Sequence, residues 1–207
     1  NQGTYAITAS NAAGGTFNAS NYTITYVNGT MPVNPAALTV TANDISKTYG
    51  SAYSFGGNEF TASGLVNGDT VSSVTLASAG APATANTGAY AITASGATGT
   101  GLSNYTITYV NGTMTFNPAA LTVTANDISM TYGSAYSFGG TEFTTSGLQN
   151  GDTIGSVSLA SAGAATSANQ GAYAITASNA TGGTFTASNY TITYINGTMT
   201  VNPAALT

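Results

Sequence analysis

One strand-and-turn stretch is written three times in this chain. NYTITYVNGTM occurs at residues 21–31 and again at 104–114, and a copy with Ile in place of Val occurs at 189–199. Other stretches, such as TYGSAYSFGG and NGDT, recur in the same order between these copies with small changes or none. Recurrence at a nearly fixed spacing is the signature of a tandem array of structural modules.

The repeat boundaries follow from this register. We expect two complete repeats of one common topology, and we expect the chain to be a fragment of a longer array because both of its ends cut across a repeat. The predicted divisions are a partial repeat at 1–35, complete repeats at 36–118 and 119–204, and the start of a following repeat at 205–207.

The repeated segments alternate apolar and polar residues at strand spacing. Leu38, Val40 and Ala42 alternate with threonines, and the segment around Ile92 does the same. Turn-forming Gly, Asn, Asp and Pro separate these segments. None of the segments has its apolar residues at the spacing of a helix. The sequence predicts an all-β fold of six or seven short strands per repeat. The expected modules are small β-sandwiches, immunoglobulin-like or of a related β-rich kind, arranged as a rod.

The Asn-Gly dipeptide inside each copy predicts a β-hairpin. Asn28-Gly29 is the preferred pair for a two-residue type I′ loop, in which both residues have positive φ. Folding about this loop would pair Tyr26 with Met31 and Ile24 with Val33, and the two later copies would close in the same way. Pro32 cannot donate a ladder hydrogen bond, so its side of the first hairpin is expected to be an edge.

The composition excludes several classes of function. Only 3% of the residues are charged, and Lys47 is the single basic residue, so neither a nucleic acid nor an anionic membrane surface is a predicted partner. The chain has no Cys and no His, which removes disulfides, thiolate metal sites, a thiol nucleophile and the usual proton shuttle. No apolar run approaches the length of a membrane-spanning helix. We expect no enzymatic activity, no catalytic residues and no cofactor.

Several of these motifs together resemble a known family. The order TVTANDISKTYG, FTASGLVNGDTVSSVTL, GAYAITAS and NYTITYVNGTMTFNPA is similar to the MBG repeats (mostly beta, glycine-rich) of bacterial surface and secreted adhesins, including filamentous-haemagglutinin-like proteins. The resemblance implies a non-catalytic tandem β module in an extracellular bacterial setting. Met130 departs from the pattern, because Lys47 precedes TYG in the earlier repeat.

The acidic residues are candidates for a calcium site. All six occur in matched pairs, and clustered carboxylates are the ligands that hard cations prefer. Against calcium, no DxDxDG run is present, and Asp in such turns commonly bonds its own backbone. Asp69 is also a possible cap of a short helical turn. The candidate metal ligands are Asp44, Asp69, Asp127 and Asp152, although the metal-free interpretation is favoured.

Four tyrosines are candidates for glycan contact, but core packing is the favoured interpretation, since large aromatic residues are usually buried. The sequons at Asn21 and Asn28, with their copies, are possible glycan acceptors, although Asn-Gly has its own role in a turn. Lys47 is a candidate for an intramolecular amide with an Asn. The tyrosines concerned are Tyr49, Tyr53, Tyr132 and Tyr136.

These observations predict a structural stalk or spacer segment of a repetitive extracellular bacterial adhesin. Its expected partners are neighbouring repeats of the same polypeptide. One alternative is a subunit of an extracellular filament or biofilm matrix, in which copies of the chain complete one another by strand addition. A further alternative is a glycan-binding module.

Overall fold

The structure is a computed structural model that describes residues 1–206. Residues 1–206 are all-β, and the only helical segments among them are four short 3-10 turns of three residues each. None of the helices found in these residues has the length and apolar character needed to cross a membrane. The turns are Ala19–Asn21, Leu102–Asn104, Ala162–Ala164 and Ala187–Asn189.

The strands are grouped here by the predicted repeats. The partial repeat contains β1 (Gly3–Ile7) and β2 (Gly29–Val33). The first complete repeat contains β3 (Ala36–Ala42), β4 (Ile45–Thr48), β5 (Phe60–Ser63), β6 (Thr70–Ala77), β7 (Ala89–Thr100), β8 (Tyr105–Val110) and β9 (Gly112–Asn117). The second contains β10 (Ala119–Ala125), β11 (Ile128–Thr131), β12 (Phe143–Ser146), β13 (Ser156–Ala160), β14 (Gly171–Thr181), β15 (Tyr190–Ile195) and β16 (Gly197–Asn202).

Both complete repeats have the same strand order. In the second repeat, one sheet has the order β12-β10-β15 and the other has the order β11-β16-β14-β13. In the first repeat, the corresponding orders are β5-β3-β8 and β4-β9-β7-β6. The prediction of one common topology is therefore confirmed.

The chain forms two compact units that are discontinuous in sequence. The first unit contains the partial repeat together with β3, β5, β6, β8 and residues 93–100 of β7. The second unit contains the entire second repeat together with residues 44–54, residues 78–92 and the segment that begins at Thr113.

In the second unit, the core lies between two sheets. Leu121 and Val123 of β10 face Val157 of β13, Ile175 of β14 and Met199 of β16, and all five are buried. Their neighbours along each strand point outward, as the alternation predicts. Three-stranded and four-stranded sheets packed on one apolar core form a β-sandwich.

The predicted Asn-Gly hairpin is wrong in all three copies. β8 pairs in parallel with β3, whereas β9 pairs in parallel with β4, so the two strands that flank Asn111-Gly112 belong to different sheets. In the partial repeat, β2 pairs with β1, and Tyr22–Tyr26 is not a strand. Neither residue of any of these Asn-Gly pairs has a positive φ. Alternation fixes which side chains share a face, but it does not fix which strand is the partner.

The helical turn expected at Asp69 is also wrong. The amide of Asp69 donates to the carbonyl of Val66 at 3.0 Å, which closes a turn through Asn67 at φ +57°. The chain then enters β6 directly. Asp69 thus ends a turn, and its carboxylate is directed to a partner distant in sequence.

Candidate functional site

An asparagine contact between consecutive repeats occurs twice. In the second unit, Asn189 Oδ1 accepts from the amide of Thr87 at 2.8 Å, and the Thr87 hydroxyl donates to the carbonyl of Ser188 at 2.9 Å. Asn189 Nδ2 donates to Asn86 Oδ1 at 2.9 Å. Asn189 is only 1% exposed, so these bonds satisfy a buried amide side chain.

The first unit contains the same contact one repeat earlier. Asn104 Oδ1 accepts from the amide of Gln2 at 2.9 Å, and Gln2 Nε2 donates to the carbonyl of Ser103 at 2.7 Å. Asn104 Nδ2 also donates to Asn1 Oδ1 at 3.3 Å. The two asparagine pairs are each 103 residues apart in sequence. We call these two contacts, at Asn104 and at Asn189, the asparagine junctions.

A tyrosine forms a second contact between repeats in the second unit. The hydroxyl of Tyr49 donates to Asp152 Oδ2 at 3.0 Å, and Tyr190 donates to the same oxygen at 2.6 Å. The two rings meet edge to face with centroids 5.4 Å apart, a favourable aromatic geometry. Tyr49 is 6% exposed and belongs to the core cluster of the second repeat. This Tyr49–Asp152–Tyr190 arrangement is called the tyrosine junction below.

The glycine after Tyr49 allows the turn at residues 49–50 to lie close to the next repeat. Gly50 has φ +88°, and a Cβ added there would lie 2.5 Å from the Gln149 side chain. Any larger residue at this position would adopt an unfavourable positive φ, and its Cβ would clash with Gln149. The Tyr-Gly pair therefore supplies an aromatic ring on a turn that can lie against the next repeat.

Burial and the Asp152 carboxylate both raise the pKa of the Tyr190 hydroxyl. Desolvation, followed by the hydrogen bond to Asp152, raises the pKa of Tyr190 to about 12. Its hydroxyl also accepts from the amide of Gln149 at 2.9 Å, so the neutral phenol has both a donor and an acceptor partner. Ionisation of Tyr190 would place two negative charges next to each other.

This shift predicts a loss of stability at high pH. A tyrosine in an unfolded chain ionises near pH 10, whereas Tyr190 in the folded protein retains its proton until about pH 12. The folded state binds this proton more tightly, so its stabilising effect is complete below pH 10 and is lost as the pH rises to about 12. We expect the difference in melting temperature between the wild type and Tyr190→Phe to shrink over this interval. A difference that is constant with pH would contradict the assignment, because all other tyrosines are common to both proteins.

The four aspartates suggested as calcium ligands lie in two kinds of setting. Asp44 and Asp127 each accept from a backbone amide, that of Thr113 or Thr198, at 2.7 Å. Asp69 accepts from the Tyr105 hydroxyl at 2.9 Å, as Asp152 does from Tyr190. Within residues 1–206, no three acidic side chains come together as a metal site.

The remaining acids bind backbone amides of their own turns. Glu59 accepts from the amides of Gly56, Gly57 and Asn58 at 2.8–3.1 Å. The hydrogen bond from Gly56, followed by those from its neighbours, holds the pKa of Glu59 below its usual range against the opposing effect of burial. Glu142 repeats the arrangement, with the bond from Gly139 as the main cause of its lowered pKa.

The four candidate tyrosines have different environments. Tyr49 is buried in the tyrosine junction, whereas its equivalent Tyr132 is 48% exposed. Tyr53 and Tyr136 are half-buried, and Tyr136 packs edge to face on Phe138 at 5.1 Å. The structure therefore does not place the four side chains on one exposed surface.

Lys47 is buried and bound to backbone carbonyls. Its Nζ donates to the carbonyls of Ser51, Ala81 and Pro82 at 2.7–3.0 Å and lies 4.4 Å from the centre of the Phe116 ring. Burial lowers the pKa of Lys47. The hydrogen-bond partners of Lys47 that the structure shows are backbone carbonyl oxygens. An intramolecular amide bond would need the side chain of an Asn at this position instead.

Sequence reasoning missed the asparagine junctions. Asn104 and Asn189 were interpreted only as sequons, whereas both side chains bind the repeat before them. A signal was present: Asn86 and Asn169 stand two residues before the Gly that precedes AYAITAS, as Asn1 stands two residues before Gly3. A polar pair that is fixed within every repeat, without a local partner, is typical of a contact between repeats.

The fold and these junctions define a class of protein, a tandem array of β-rich modules joined by recurring side-chain contacts. The MBG domain (YGX type) family matches residues 38–115 and 121–200, and the chain belongs to this family. The Tyr-Gly-X triplets of this chain are 49–51 and 132–134. MBG domains are typical of extracellular surface proteins. No curated protein matches the chain.

Proposed function

We propose that this chain is a non-catalytic stalk or spacer segment of a repetitive bacterial adhesin, at the cell surface or secreted. The observation that supports this role is the asparagine junction, which occurs at two successive repeats with the same atoms and the same sequence separation. A contact that recurs in register fixes each repeat to the one before it. Such coupling is what a spacer needs to hold a distant binding region.

The connections between repeats also favour stiffness. Only Pro118 separates β9 from β10, and only two residues, Asn34 and Pro35, separate β2 from β3. Proline fixes its own φ and restricts the residue before it. A linker of this length leaves few conformations to consecutive repeats, and the junctions reduce them further.

Distance measurements between two spin labels test this proposal. The chain has no Cys, so Thr84→Cys and Thr144→Cys, which are exposed and lie in consecutive repeats within the second unit, can be labelled selectively. We expect one narrow distance distribution for the wild-type junctions. Asp152→Ala should broaden it, because the tyrosine junction loses its shared acceptor.

A matched control is Asp127→Ala in the same labelled chain. Asp127 caps the amide of Thr198 within the second repeat and takes no part in either junction. Its replacement should leave the width of the distribution unchanged. A broad distribution in the unmodified junctions would contradict a stalk.

One observation favours the filament as a second candidate. Within residues 1–206, β2 has β1 as its only strand partner, whereas the equivalent β9 pairs on both of its edges. Met31 is 50% exposed and Ile7 is 54% exposed, while their equivalents Met114 and Ile92 are fully buried. An unpaired edge with an apolar face is the surface that strand addition uses.

A further inference from the structure

The first unit contains a cavity of about 320 Å³ at the end of β2, where Val33 and Asn34 form part of its lining. Its lining comes from the partial repeat and from the turns around Asn67 and Asn104. Four of the lining residues have equivalents that contact Tyr49 or Gly50 in the second unit, namely Asn34, Val66, Asp69 and Tyr105.

The equivalent residues in the second unit hold Tyr49. The amide of Tyr49 donates to the carbonyl of Asn117 at 3.0 Å, and its hydroxyl donates to Asp152. Its ring lies against Tyr190, and Gln149 occupies the space that a Cβ at Gly50 would need. In the first unit, the matching positions are Asn34, Asp69, Tyr105 and Val66, and all four line the cavity.

The place that β4, the strand before Tyr49, occupies beside β9 has an equivalent beside β2. β4 pairs in parallel with β9, with Ile45 opposite Met114 and Thr48 opposite Asn117. The second repeat keeps this register, with Ile128 opposite Met199 and the amide of Tyr132 donating to the carbonyl of Asn202. The corresponding edge in the partial repeat is that of β2, where Met31 and Asn34 occupy the two positions.

We propose that the edge of β2 and this cavity form one acceptor site for a strand of sequence Ile-Ser-X-Thr-Tyr-Gly from another repeat of the same type. The strand adds in parallel to β2, with its Ile opposite Met31. Its tyrosine enters the cavity and donates to Asp69. Main-chain pairing supplies affinity, and the tyrosine supplies specificity.

Pro32 makes the tyrosine contact especially important. It occupies the position of Thr115 and Thr200 and has no N–H, so it cannot donate to an added strand. In β9, the amide of Phe116 donates to the carbonyl of Gly88, the residue just before β7, so the amides on either side of Phe116 face β4. The ladder on β2 therefore has one hydrogen bond fewer than the ladder between β4 and β9.

The probe for this site is the peptide NDISKTYGSA, residues 43–52 of this chain, with blocked ends. A free peptide is needed because β4 and β11 are already paired with β9 and β16. We expect saturable binding to the complete chain with a Kd below about 1 mM. In methionine-methyl NMR spectra, the signal of Met31 should move, whereas those of the buried Met114 and Met199 should not.

Three substitutions test the two parts of the site separately. Peptide carrying Tyr49→Phe, and protein carrying Asp69→Asn, should each bind about tenfold more weakly, since each loses a hydrogen bond to a carboxylate. Protein carrying Pro32→Thr should bind about fivefold more tightly, since it regains a ladder donor. Asp127→Asn, with the same change of charge outside the site, should leave the Kd within about twofold.

Three results would overturn the proposal. These are the absence of saturable binding below about 1 mM, an affinity unaffected by both Tyr49→Phe and Asp69→Asn, and an affinity unaffected by Pro32→Thr. The peptide variant does not alter the protein, so this arm is independent of any effect on folding. Binding of the peptide is also independent of the spin-label distances, so the acceptor site and the stalk can fail separately.

Discussion

Gly197→Ala is expected to lower the free energy of unfolding by about 3 kcal/mol, at the upper end of the cost of overpacking. A Cβ at this position would lie 2.6 Å from the carbonyl oxygen of Ala125 and 2.7 Å from that of Asn126. Both contacts are with backbone at the end of β10 and in the residue that follows it, which cannot rotate away as a side chain would. Denaturant unfolding, with the slope compared between variants, measures this effect.

Two controls separate close packing from turn geometry. Gly29 occupies the equivalent position in the partial repeat, where a Cβ would lie 3.7 Å from Ile7, so Gly29→Ala should change stability by less than about 0.5 kcal/mol. Asn196 is exposed and has no positive φ, so Asn196→Ala should be equally mild. If Asn196→Ala cost as much as Gly197→Ala, a type I′ turn would be the better account.

The Asn-Gly sites show how far sequence patterns reach in this fold. Alternation correctly grouped Leu38, Val40 and Ala42 on one face of a strand, and all three are buried, because a strand with one buried face has period two whichever strand is its partner. The partner itself depends on contacts between distant segments. The pattern around Asn111-Gly112 is compatible with a hairpin and with a chain that passes from one sheet to the other. The structure distinguishes these two paths because β8 and β9 pair with different strands and Gly112 lies close to the backbone of Ala42.

The junction residues show a similar limit. Burial of Tyr49 agrees with the preference for core packing, yet the core it joins is that of the next repeat. Nothing local in TYGSAY distinguishes Tyr49 from Tyr132, which is 48% exposed. Tyr49 lies against Asp152 and Tyr190 of the following repeat, and partners so distant along the chain cannot be read from six local residues.

Asn189→Ala is expected to cost about 2–3 kcal/mol of unfolding free energy. The substitution removes the acceptor of the Thr87 amide and leaves that half-buried donor without its partner. It also removes the bond from Nδ2 to Asn86. Replacing one partner of a buried hydrogen bond costs more than the bond itself contributes, because the remaining group has lost its water. Thermal and denaturant unfolding of the complete chain measure the loss.

The three copies of the same asparagine provide a graded comparison. Asn104 makes the same bonds with more exposed partners, so Asn104→Ala should cost roughly 1 kcal/mol or less. Asn21 is exposed, and Asn21→Ala should be within about 0.5 kcal/mol of the wild type. Since the three sites share the sequence Asn-Tyr-Thr, a local role of the asparagine in its 3-10 turn would give three equal effects. An order of effects from Asn189 through Asn104 to Asn21 is the result expected if the side chain acts by binding the preceding repeat.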